Sequence, residues 1–218
     1  VYQRNPEKSV KLYTPENPAP WGDTAEQLFR LEGAAEYPCP VDVNGSQLWV
    51  REFQLGSWAL EHGIEPAEYM SEVHKHFTFL EECGVNLPDL EMQATERSFS
   101  QPGFEHALYA ATTDVGNSRY PDLIRGPEPE RALSELLNSL HTYVEWVHDS
   151  PQKLALFDIL APKQYLYGEL EPGASKQIYL IDVEPALAAT QAAGGRTFQQ
   201  WQDRLEQWNA LWEARPNQ

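Results

Sequence analysis

Short alternating segments open the chain. Val1-Tyr2-Gln3-Arg4 and Ser9-Val10-Lys11-Leu12-Tyr13 flank Asn5-Pro6-Glu7-Lys8 and predict two short strands around a turn. A Pro-rich connection follows from Pro15 to Gly22, and a helix is expected from Asp23 or Thr24 to about Leu31. Glu36 to Val43 reads as a Pro-containing loop, Asn44-Gly45 as a turn, and Gln47 to Phe53 as a strand. Gly56 marks a break, and beyond Pro66 the period becomes helical. Met70, Val73, Phe77 and Leu80 form one apolar stripe, and Leu133, Leu136, Leu137, Leu140, Val144 and Val147 form another within Glu128 to His148. Residues 84 to 128 mix turn formers with apolar positions and predict no definite element.

The period changes again after His148. Leu154 to Leu160 is short and apolar, and Gln164 to Leu170 pairs with Gln177 to Val183 across Glu171-Pro172-Gly173-Ala174. Phe198 to Glu213 predicts an amphipathic helix with Phe198, Trp201, Leu205, Trp208, Leu211 and Trp212 on its apolar face. The pattern predicts an α+β fold with a sheet-rich part over 1–56 and a mainly helical part over 57–218.

Composition narrows the partners. A formal charge of −17 in 218 residues repels phosphate backbones, so nucleic acid and anionic membranes are poor partners. No apolar run is long enough to span a bilayer. Cys39 and Cys83 match neither a zinc pattern nor a disulfide framework, which fits thiols in the cytoplasm. His74 and His76 do not share a helix face, and His141 and His148 lack a third ligand, so neither pair predicts a metal site.

Two acids stand out. Asp158 interrupts the apolar run Leu154 to Leu160, and Asp182 ends the run Tyr179-Leu180-Ile181. Acids are seldom placed in such surroundings without a partner or a role. The order of strands, helix, strand, Gly break, helices, Asp-bearing segment, hairpin and second Asp resembles the protein-kinase-like superfamily. The closer likeness is to its compact bacterial branches, the aminoglycoside-phosphotransferase-like and lipopolysaccharide-kinase-like proteins.

That resemblance implies a two-lobed fold, a sheet lobe at 1–56 and a mainly helical lobe at 57–218 with a catalytic-type hairpin. It implies ATP and Mg²⁺ as cofactors and an acceptor hydroxyl on a small molecule, glycan or protein. Ser9-Val10-Lys11-Leu12 resembles the strand that carries the phosphate-binding lysine, so Lys11 takes that role and Glu26 pairs with it. The segment ending in Glu52, Phe53 and Gln54 resembles the stretch that holds adenine. Phe157-Asp158-Ile159 resembles the catalytic loop, with Asp158 orienting the hydroxyl. Gln164 stands for the metal-binding asparagine, and Ile181-Asp182-Val183 resembles the segment in which Asp182 holds magnesium. No glycine-rich phosphate loop is visible, the segment Leu156-Phe157-Asp158 lacks the family's usual histidine, and Gln164 lies six residues beyond Asp158 where the family places its asparagine at five. These departures raise a second reading, a catalytically silent pseudokinase that binds or regulates a partner protein. A third is an unrelated α+β interaction domain. Each residue also has a plainer role: Lys11 as a solvent-facing strand residue, Glu26 as a helix cap, Asp158 as a turn cap, Asp182 as a strand end.

Overall fold

The computed structural model describes residues 10–32, 38–96, 106–121, 125–156, 159–182 and 187–190, with the single positions Gln200, Asp203, Glu206, Gln207 and Ala210. Its fold is mixed α+β. A five-stranded sheet is built from β1 (Val10–Tyr13), β2 (Cys39–Val43), β3 (Ser46–Phe53), β4 (Leu90–Glu96) and β5 (His106–Thr112), in the order β1-β4-β5-β3-β2. β1 runs parallel to β4, and the other pairs are antiparallel. The strands around Val10 and Val50 therefore share one sheet, as their patterns predict.

The Asn44-Gly45 signal forms the β2–β3 turn. Both residues have positive φ, 53° and 85°, and Asp42 Oδ1 accepts the Gly45 N–H at 3.1 Å. The expected loop at Glu36 to Val43 is corrected here: Cys39–Val43 is a strand. Pro40 is tolerated because β2 is an edge strand, where its missing donor breaks no interior ladder. The unread region 84–128 supplies β4 and β5, so the sheet continues well beyond Gly56. Leu90, Met92 and Ala94 alternate with Glu91 and Gln93, giving β4 one apolar face and one polar-edged face.

Helices cover both faces of this sheet. α1 (Gly22–Glu32) lies on one, where Trp21, Ala25 and Phe29 pack with Leu48, Val50, Tyr109 and Ala111. α3 (Pro66–Cys83) lies on the other and packs against β1, β4 and β5. A short α2 (Ser57–His62) precedes it. α4 (Pro127–Asp149) packs beside α3, and its buried stripe is the one predicted. Beyond the sheet, β6 (Gly116–Arg119), β8 (Tyr165–Glu169) and β9 (Gln177–Leu180) form a second sheet in the order β6-β8-β9. β7 (Leu154–Leu156) pairs with β10 (Leu187–Ala189). The β8–β9 hairpin is the one predicted, with its turn closed by Ala174 N–H to the Glu171 carbonyl at 3.0 Å.

The expected strand at Val1 to Arg4 lies outside the described residues. So does the apolar face of the last helix with Trp201, Leu205, Trp208 and Trp212. The helical positions Gln200, Asp203, Glu206, Gln207 and Ala210 are exposed. No described helix is long and apolar enough to cross a membrane.

A buried polar chain ties α3 to α4 and β7. His76 Nδ1 lies 2.9 Å from the Tyr143 hydroxyl, which also accepts the Leu156 N–H at 2.9 Å. Burial, with Lys75 adding a smaller push, lowers the His76 pKa from 6.5 to about 3. On unfolding the imidazole returns to its ordinary value and takes up a proton. Stability is therefore complete above about pH 6.5 and declines as pH falls toward 3. The His76→Gln variant should show a flatter dependence of urea midpoint on pH across that window; an unchanged slope would count against this account.

Candidate functional site

The two sheets face each other across a cleft of about 220 Å³. Its lining includes Trp49 and Arg51 of β3, Thr112 to Val115, Leu166 of β8 and Ile181 beyond β9. Alternation along β3 explains the roof. Leu48 and Val50 point to the α1 face, so Trp49 and Arg51 point to the other, along with Phe53 in the larger core. The Trp49 partner across the ladder is Thr112, which therefore joins it on the roof. α3 covers the β1, β4 and β5 side of this face, and the cleft opens at the β3 side.

The floor is held in place by short connections. Thr113–Val115 joins the end of β5 directly to β6. The segment after α3 grips the hairpin: the Leu180 N–H donates to the Asn86 carbonyl at 3.0 Å, and Asn86 Nδ2 donates to the Ile178 carbonyl at 3.3 Å. β6 and β8 come so close that a Cβ on Gly168 would meet the Gly116 carbonyl oxygen at 2.6 Å and Val115 at 2.7 Å.

Roof and floor are bridged by one ion pair. Arg51 Nη1 lies 3.7 Å from Asp182 Oδ1, with the two side chains 32% and 29% exposed. At that exposure the pair is worth about 0–1 kcal/mol. Asp182 follows β9, and Gln164 precedes β8 in a 3₁₀ turn (Pro162–Gln164). The Ile181 N–H donates to the Gln164 carbonyl at 2.8 Å, so the base of the hairpin sets the backbone of Gln164 against the residue before Asp182. Asp158 lies outside the described residues, but its flanks are anchored. Leu156 N–H is held by Tyr143, and the Tyr165 hydroxyl donates to the Ile159 carbonyl at 2.7 Å.

The remaining expected residues are elsewhere. Lys11 lies on the edge strand β1, on the α1 face of the sheet, and pairs with Glu91 at 3.3 Å. Glu91 also accepts Trp21 Nε1–H at 2.7 Å. The raised pKa of Lys11 follows from its hydrogen bond to Glu91. Glu26 belongs to α1, on that same face. The correction has a simple cause: Lys11 has the strand parity of Tyr13, while Val10 and Leu12 turn toward α3, and a one-residue step changes the face. Glu52 pairs across the ladder with Tyr109 on the α1 face, Phe53 is buried in the core and Gln54 is exposed beyond β3. None of them lines the cleft. Arg51, Trp49 and Thr113 do, and the strand periodicity of Gln47 to Phe53 was the signal that could have singled out Trp49 and Arg51.

Among the described residues no cluster of three or more His, Cys, Asp or Glu is arranged to hold a metal. The partly exposed carboxylate of Asp182 is the kind of group that magnesium arriving with phosphates uses, since that ion commonly takes one or two protein carboxylates, whereas Gln164 is buried. The same set does not fit a metal held by protein alone. No family model, curated protein or solved structure matches the chain.

The close β6–β8 contact yields a direct test of the site's frame. Gly168→Ala should lower stability by about 1–3 kcal/mol in urea denaturation, the usual cost of overpacking. An unchanged midpoint would show that this contact can relax freely.

Proposed function

We propose that the chain is a protein-kinase-like nucleotide-binding protein, and that the cleft between its two sheets takes a nucleoside triphosphate with magnesium for binding rather than turnover. The observation that carries this reading is the Arg51–Asp182 pair, in which Arg51 lines the cleft and Asp182 follows the lining residue Ile181. It sets a cation in the cleft beside a carboxylate at its edge, the charges that phosphates and their magnesium need. The element order also supports it: the β2–β3 hairpin, then α3, then β4 and β5, then a short connection, α4 and the β8–β9 hairpin. In this reading the cation role belongs to Arg51 in place of Lys11. The segment beside the base is Thr113–Val115 in place of Glu52 to Gln54. Asp182 keeps the metal-holding role, and the ion would supply positive charge to the phosphate oxygens.

Two features favour binding over transfer. Arg51, the cleft's cation, is already engaged by the carboxylate assigned to magnesium. The half-buried indole of Trp49 fills part of the roof. The second reading is an active phosphotransferase acting on a hydroxyl. It is favoured by the backbone bond that holds Gln164 to Ile181, the residue before Asp182, with Asp158 as the residue that would orient the acceptor.

Ligand that binds only the native state must stabilise it, by about 2.7 kcal/mol at 100 times the dissociation constant. Thermal unfolding should therefore rise with a triphosphate plus magnesium, and Asp182→Asn should remove the magnesium-dependent part. No shift with millimolar ATP, GTP or UTP would sink the proposal. Phosphate release or transfer that disappears in Asp182→Asn and Asp158→Asn would establish the second reading instead.

A further inference from the structure

The Arg51–Asp182 pair has the geometry of a contact that can be exchanged. At 3.7 Å it is longer than a charge-assisted hydrogen bond, which spans about 2.7–2.9 Å, and both side chains stay partly exposed. Their backbones are fixed. Arg51 is opposite Ala110 in the β3–β5 ladder, and the Ile181 N–H before Asp182 is held by the Gln164 carbonyl. Side-chain rotation alone can therefore part the two groups while the walls of the cleft stay in place.

Local charge gives that contact a consequence. Among the described residues lining the cleft, Arg51 is the only cation and Asp114 is an acid, while Asp182 follows the lining residue Ile181. The local balance is one guanidinium against two carboxylates, in a chain of formal charge −17. An anion that enters alone must displace Asp182 from Arg51 and remain near the carboxylate it has displaced, where like charges repel. An anion that enters with a divalent cation avoids that repulsion, because the ion neutralises the carboxylate. We propose that Asp182 is an internal competitor for anions at Arg51, so that the cleft is weak for a polyphosphate alone and its binding is coupled to a divalent cation. This rests on the phosphate part of the nucleotide reading and adds how that site is regulated. The coupling is reciprocal, so a bound polyphosphate must raise the affinity for the cation by the same factor.

Isothermal titration calorimetry of the full chain tests it with inorganic tripolyphosphate, which carries no base, and with ATP, each with and without magnesium. Without magnesium, Asp182→Asn should bind tripolyphosphate about three- to tenfold more tightly than the wild type, as expected when a partly exposed pair and its repulsion are both removed. Magnesium should tighten binding to the wild type by about fivefold or more, and to Asp182→Asn by about twofold or less. In an Arg51→Gln background the further change Asp182→Asn should add less than about twofold, because the carboxylate acts through Arg51. Loss of all binding in Arg51→Gln also supports the proposal, since the anion then has no other seat. Metal-free binding that is unchanged or weaker in Asp182→Asn overturns the competitor. So does an equal gain in the Arg51→Gln background, which would reveal general charge repulsion. If ATP with magnesium binds the wild type while either of those results is found, the nucleotide cleft stands without the competitor. If tripolyphosphate behaves as expected and ATP does not bind, the competitor stands and the nucleotide reading falls. No binding of either compound to the wild type or to Asp182→Asn overturns both.

Discussion

Both faces of the five-stranded sheet carry apolar side chains, and leaving such surface in water costs about 25 cal/mol for each Å². Much of the architecture answers that constraint. Trp21, Ala25 and Phe29 close one face over Val50, Tyr109 and Ala111. On the other face α3 lays Tyr69, Met70, Val73 and Phe77 toward the strands, and α4 and the second sheet complete the same core. The cover of α3 reaches β1, β4 and β5, and the cleft lies at the β3 side beyond it. The site is thus a consequence of how far one helix extends across a sheet.

The cleft keeps its shape because the floor is tied to the roof by backbone. Asn86 fastens the segment after α3 to β9, and Thr113–Val115 leaves little slack between β5 and β6. A buried hydroxyl network continues this bracing: Tyr143 and Tyr165 hold the chain on either side of Asp158. Within that rigid surround the charged pair is weak, since Arg51 and Asp182 remain partly in contact with water. A weak bridge between strongly held walls costs little to open.

Much of the secondary structure was legible from local pattern. The stripes of α3 and α4 have the period of helices buried along one face, and the structure buries the same residues. Asn44-Gly45 closed its hairpin through positive φ, and the β8–β9 pair formed around its Pro-Gly turn. β2 was missed because Pro40 argues against a strand until the strand is known to lie at an edge. β4 and β5 were missed because strands covered on both sides gain their stability from nonlocal partners, and residues 84–128 contain many turn formers that obscure the alternation. For the site, the resemblance picked out Gln164 and Asp182, which share the hairpin's end. It also picked out Lys11, Glu26 and Glu52 to Gln54, none of which lines the cleft.

The sequence by itself determined the α+β class, the two long helices, the β8–β9 hairpin and the acid that ends it, because these depend on periodicity and turn chemistry within short stretches. It also determined that Lys11 and Arg51 each occupy one of two alternating strand faces. Only the tertiary structure decided which face would line the cleft and which would lie under α1. That choice depends on where distant helices pack, and a single residue's step in a strand exchanges the two faces, so Arg51 and Trp49 reached the cleft while Lys11 remained on the far side of the sheet.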